Sequence, residues 1–156
     1  MGMDVYGKDP SSEQGEYFRS NVWYWHPLWT YCENMHPSLA GKVKNGHDNS
    51  GDGLNKPDSI ALASLLKRDI ESGVTQKYIK DYYKALDEIP LEDCTSCHAT
   101  GEVATIDDDT NPVIKVCNYC KGEKKVKPFQ TWYHMELDLI KEFQQFLQSC
   151  GGFRIC

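Results

Sequence analysis

Cys94-Thr95-Ser96-Cys97-His98-Ala99-Thr100-Gly101 and Cys117-Asn118-Tyr119-Cys120-Lys121-Gly122-Glu123-Lys124 read as two halves of one motif. Nineteen residues separate Cys97 from Cys117. A CxxC at each end of such an interval is the spacing of four-thiolate zinc sites, in which a hairpin brings two knuckles around one tetrahedral ion. The intervening sequence agrees, because two β-prone pieces flank Asp107-Asp108-Asp109-Thr110-Asn111-Pro112, a concentrated turn signal. Cys94, Cys97, Cys117 and Cys120 are therefore the expected ligands of one structural Zn2+ per chain. Four thiolates leave the ion no open coordination position, so such a site holds structure together and does not activate water. With four sulfur charges and one dication, the formal charge would move from −6 to about −8. Two other readings of the first pair stay open. One is a redox dithiol; the other is covalent haem attachment, because His98 completes a CxxCH. Haem attachment normally needs an exported apoprotein, and it leaves Cys117 and Cys120 without a role.

Outward from this motif, helical periodicity dominates. Ile60, Ala63, Leu66 and Ile70 recur at helical spacing over 58–72, with Gly73 placed to end the helix. Thr75 begins a second helix carrying Ile79, Tyr82, Tyr83 and Leu86 until Pro90, and the pair reads as an antiparallel hairpin. Trp132, Met135, Leu139, Phe143, Phe146 and Cys150 form the stripe of a long final helix closed by Gly151-Gly152. Met3 to Tyr6 and Phe153 to Cys156 read as short strands. Asn21-Val22-Trp23-Tyr24-Trp25 reads as a third strand on its Val and aromatic content, with Pro27 opening a short helix behind it. The expected fold is α+β: a small antiparallel sheet with packed helices and a protruding zinc-ribbon-like β-hairpin. The expected organisation is one domain over 1–156, with 91–127 a zinc-hairpin subdomain inserted before the C-terminal helix.

Composition narrows the function classes. The 156 residues are 40% hydrophobic and 26% charged, ordinary for one globular domain. No run approaches the length of a membrane span, and the opening residues lack the basic and apolar regions of an export signal. A cytoplasmic location with reduced thiols is the expectation, and no membrane partner. Lys and Arg total 17 against 23 Asp and Glu, which gives no global field for phosphate backbones and makes nucleic acid an unfavoured partner. The local run Lys121-Gly122-Glu123-Lys124-Lys125-Val126-Lys127 is the exception, and it faces a bland reading as a solvated stretch.

Candidate binding residues gather elsewhere. Seven aromatics lie between Tyr17 and Tyr31. If the segment is extended, Trp23 and Trp25 share one face, with Arg19 and His26 beside them to supply polar specificity. Core packing is the competing reading of this cluster. Asn45 to Gly53 contains no apolar residue, so it must be a loop, and it brings His47, Asp48 and Asp52. His47 to Gly53 resembles the first half of a calcium loop, with glycine at the sixth position, but the twelfth position is Ser59 where a bidentate Glu is needed, and Pro57 intrudes before it. His47-Asp48 lacks the further ligands of a metal phosphohydrolase. No phosphate loop, serine elbow or HExxH helix is present, and no catalytic residue is assigned.

The knuckles resemble the CxxCxGxG knuckles of DnaJ-type chaperones over Cys94 to Lys124. Each keeps one of the two glycines, and there are two knuckles rather than four. That resemblance implies the zinc ligands and not the chaperone activity. More widely, Met1 to Gly7, Asn21 to Trp29, Gly51-Asp52-Gly53-Leu54 and Cys150-Gly151-Gly152-Phe153 resemble small uncharacterised zinc-binding proteins of bacteria and their phages. This implies a cytoplasmic location and carries no activity. The leading expectation is a non-enzymatic, zinc-stabilised binding or adaptor protein acting on a protein partner. The alternative is a small-molecule site, nucleotide-like in its ligand, built from Arg19, Trp23, Trp25, His26, His47, Asp48 and Asp52, that binds or hydrolyses. The third is nucleic-acid binding through the zinc hairpin.

Overall fold

The computed structural model describes residues 2–107 and 110–156. In chain order its elements are β1 (Gly2–Gly7), β2 (Tyr17–Asn21), α1 (Val22–Met35), α2 (Pro37–Ala40), α3 (Lys56–Glu71), α4 (Val74–Asp87), β3 (Glu92–Asp93), β4 (Glu102–Ile106), β5 (Pro112–Val116), β6 (Lys125–Val126), α5 (Leu137–Ser149) and β7 (Phe153–Ile155). The fold is α+β, with helices packed beside small antiparallel sheets. The chain divides into two compact units, Met1–Tyr83 with Tyr133–Cys156, and Lys84–Trp132. The second reaches beyond the expected 91–127 on both sides.

In the first unit β1 is the centre of a three-stranded antiparallel sheet ordered β2-β1-β7. Val5 pairs with Phe18 on one side and Ile155 on the other, and all three are buried. The strands alternate as a half-buried sheet must: Met3, Val5, Phe18, Ser20, Phe153 and Ile155 face the core, while Tyr6, Tyr17 and Arg154 do not. Trp25, Trp29, Phe143, Phe146 and Phe153 fill the space between this face and the helices. These rings meet mostly in tilted or edge-to-face contacts, and Trp25 and Trp29 stack with centroids 5.7 Å apart.

Three sequence expectations are corrected here. The aromatic run is a helix, not a strand. The strand ends at Asn21, whose side chain accepts the Trp23 N–H and caps α1. Winding then places Trp25, Leu28, Trp29 and Cys32 on one buried face at helical spacing, a larger gain than the β preference of isolated Val, Trp and Tyr residues. Pro27 sits inside this helix, and the Trp23 carbonyl left without its helical donor accepts the His134 N–H at 2.9 Å. Secondly, α3 buries Ser59, Leu62, Ala63, Leu66 and Asp69, leaving Ile60 exposed, and it lies along α5 instead of forming a hairpin with α4. Thirdly, Trp132 falls in a 3-10 turn, Phe129–Trp132, and α5 begins only at Leu137. Within the expected turn at the hairpin tip, Asp108 and Asp109 lie outside the described residues. Among the described residues, no helix is long and apolar enough to cross a membrane.

Candidate metal centre

The second unit has two strand pairs, β4 with β5 and β3 with β6, with one knuckle between β3 and β4 and the other between β5 and β6. β4 and β5 form the ribbon expected between the cysteine pairs, in the register Glu102↔Val116 to Ile106↔Pro112. Cys94, Cys97, Cys117 and Cys120 are all buried, and their sulfurs lie within 4.8 Å of one another. Cys94 Sγ is 3.9 Å from Cys117 Sγ, and Cys97 Sγ is 3.6 Å from Cys120 Sγ. These separations are far beyond a disulfide bond of about 2.05 Å, and all four thiols are free. The arrangement suits a metal ion held by four sulfurs.

The local backbone explains how two short loops aim four sulfurs inward. A shift of 23 residues superposes the knuckles in sequence, taking Cys94 to Cys117, Cys97 to Cys120 and Gly101 to Lys124. Their backbone bonds obey the same relation: the Cys117 N–H donates to the Gly101 carbonyl at 2.9 Å, and the Cys94 N–H donates to the Lys124 carbonyl at 2.8 Å. Each knuckle thus closes on the other. Positive φ recurs at matched positions, His98 with Lys121, Ala99 with Gly122, and Gly101 with Lys124. The Gly101 N–H also donates to Cys97 Sγ at 3.3 Å. Burial works against the Cys97 thiolate, but this N–H and the bonds from the Cys94, Cys120 and Cys117 thiols outweigh it, and the pKa falls to about 7. Burial instead pushes the Cys94 thiol up to about 11.

No family model, curated protein or solved structure matches the chain. A Cys94–Cys97 dithiol leaves the convergence of Cys117 and Cys120 unexplained. Haem attachment needs both thiols of the CxxCH to face the cofactor, whereas here each is set against a cysteine of the other knuckle.

The other proposed binding residues belong to the first unit and do not converge. Trp25 is fully buried, and its indole N–H donates to the Gly46 carbonyl at 2.8 Å, so it is core and not ligand surface. Arg19 lies on the exposed face of the edge strand β2, 3.6 Å from Asp4. Trp23 is half-buried against the Tyr133 ring. Asp48 is exposed. The Asp52 carboxylate is already occupied by the N–H groups of Asn45 and Gly53 at 2.9 and 2.8 Å, led by Asn45, which hold its pKa below the usual carboxylate value. Two residues do meet: His26 Nδ1 is 2.9 Å from His47 Nδ1, and His47 Nε2 is 3.0 Å from Glu33 Oε2. A carboxylate only accepts, so the His47 Nε2–H donates to Glu33. Glu33 was absent from the sequence reading, although it stands seven residues from His26, on the same face once α1 is a helix.

The loop itself is a lid on the aromatic core. Asn49 donates to the Gly2 carbonyl, Gly51 N–H to the Ile155 carbonyl, and Ile155 N–H to the Asp52 carbonyl, which ties the loop to β1 and β7. At Gly46 a Cβ would lie 1.9 Å from the Trp29 indole nitrogen, so only glycine allows this approach.

Proposed function

We propose that this chain is a non-enzymatic binding protein whose smaller unit is held together by one structural zinc ion and presents an apolar ribbon face to a protein partner. The observation that carries the reading is the pairing of a closed four-cysteine centre with exposed apolar side chains on the ribbon it supports. Zinc fits the donor set, because a tetrahedron of sulfurs at about 2.3 Å from the ion has edges of about 3.8 Å, close to the two separations above. On β4 and β5, Ala104, Ile106, Pro112, Ile114 and Val116 occupy one face, and Ile106, Ile114 and Val116 are each more than half exposed. Scattered apolar residues on a surface need no explanation, but several adjoining ones on one face are the mark of an interaction surface. That face bears only Glu102 as a charge, which suits an apolar protein surface and gives nothing to a phosphate backbone.

The test has two stages on the intact chain. Elemental analysis should return one zinc per chain and none after Cys94→Ser with Cys117→Ser. A photo-crosslinking residue at position 104, directly opposite Ile114 on the same face, should then trap a defined protein, and Ile106→Ser with Ile114→Ser should abolish the cross-link while zinc content stays at one. Cross-links only between copies of this chain, or an adduct that survives the double substitution, would overturn the partner reading.

A further inference from the structure

A cleft of about 380 Å³ opens beside the second knuckle, its lining including Tyr119, Lys121, Glu123, Lys125, Lys127 and Trp132. Its size falls in the range of small-molecule sites. Its chemistry is unlike the ribbon face: three lysines, two half-exposed aromatic residues and one glutamate line a single opening. The walls are positioned by specific bonds. β6 pairs with β3, Lys125 Nζ lies 2.6 Å from Asp93 Oδ1, and Lys127 Nζ lies 3.4 Å from Asp87 Oδ1. The Trp132 ring is backed by Phe129 with centroids 5.5 Å apart. A positioned indole beside dispersed lysines is the combination that stacks a base and neutralises a phosphate.

We propose that this cleft binds a nucleotide unit, the base against Trp132 or Tyr119 and the phosphate among Lys121, Lys125 and Lys127. Lysines spread over three positions match the diffuse charge of phosphate oxygens, whereas a single carboxylate is better held by the planar fork of arginine. Glu123 supplies an acceptor for the amino hydrogens of a base or the hydroxyls of a ribose, donors that a plain inorganic anion lacks. The ion pairs to Asp93 and Asp87 are exposed, so a phosphate displaces them at little cost. The acidic whole-chain charge of −6 limits long-range steering, which makes recognition short-ranged and local. This inference does not depend on the protein-partner reading, since it uses a different surface.

The experiment uses the full zinc-loaded chain, with AMP and a fluorescein-labelled dT oligomer as probes. Calorimetry follows AMP and fluorescence anisotropy follows the oligomer. Saturable binding of at least one is expected. A shared affinity per nucleotide identifies a free nucleotide as the source, and binding of the oligomer alone identifies a single strand. For a single strand the log affinity should fall with log salt at a slope of about −0.7 per phosphate neutralised. Lys121→Glu, an exposed change that leaves the ion pairs intact, should weaken either probe at least tenfold, as should Trp132→Ala, with zinc content unchanged. Ile114→Ser should leave both affinities as they were. Failure of both probes to saturate, or affinity unmoved by both Lys121→Glu and Trp132→Ala, overturns the assignment.

Discussion

Ala99 and Lys124 are single residues that show what the knuckles require. Both stand where the repeated CxxCxGxG pattern has glycine, and both adopt left-handed backbone, with φ of 57° and 66°. An L side chain there crowds its own carbonyl, at a cost of about 1 kcal/mol or slightly more per residue. Ala99→Gly and Lys124→Gly should therefore each stabilise the metal-bound unit by about 1 kcal/mol, offset in part by the greater freedom of glycine in the unfolded chain. Chelator competition, read as the chelator concentration that removes half the metal, should rise for each variant. At the same scale, His26 gives the fold a pH dependence. Burial first, and the neighbouring His47 second, hold its pKa below the usual histidine value. Near pH 6 the unfolded chain then binds more protons than the folded one, so stability is full above about pH 6.5 and declines as the pH falls through that value toward the folded pKa. Denaturant midpoints at pH 7.5 and pH 5.5 should differ in the wild type. His26→Asn keeps a hydrogen-bonding group near the Nδ1 position and removes the titration, so it should flatten the difference while the loop stays docked on α1.

At the scale of elements, the loop over α1 and the helix itself explain both the legible and the illegible parts of the sequence. Gly46→Ala should cost about 1–3 kcal/mol, the usual range for overfilling a packed site, because its Cβ would drive into the Trp29 ring. Thermal unfolding, together with the near-ultraviolet signal of the tryptophans, would measure it, and an unchanged midpoint would contradict the close approach. The cysteine ribbon, β1, β7, α3 and α5 were readable because each is specified locally, by a turn signal, a two-residue alternation or an apolar stripe. The run from Val22 to Cys32 was not, because its local preference is extended and its helix is set by what it packs against, namely the sheet face and Phe143. The consequence reaches the site: an extended Asn21 to Trp25 puts Trp23 and Trp25 on one face and leaves Glu33 without relation to His26. Helical winding buries Trp25, sends Trp23 to Tyr133, and aligns Glu33 with the histidine pair. The four cysteines needed no such context, since their spacing alone defines the knuckles.

For the whole molecule, the two units have cores of different kinds, and on the zinc reading proposed above a chelator should separate them. The first has a continuous core of buried aromatic and aliphatic side chains. In the second, among the described residues, the buried hydrophobic cluster consists of Cys94, Cys97, Cys117 and Cys120, with Val103 and Val126 partly buried against it. Four thiols and two half-covered valines cannot offset the conformational entropy of nearly fifty residues, which runs to about 1–2 kcal/mol each for the backbone alone. Structural zinc contributes about 10–16 kcal/mol in small domains, enough to decide whether such a unit is folded. A strong chelator under reducing conditions should therefore collapse hydrogen-exchange protection across Lys84–Trp132, while amides of β1, α3 and α5 keep theirs. The buried Trp25 and Trp29 should report the same cooperative thermal transition with or without metal. Loss of protection in both units together would mean that the core around Trp25 depends on the metal too, and equal protection before and after chelation would mean that the ribbon is held by something other than its four cysteines.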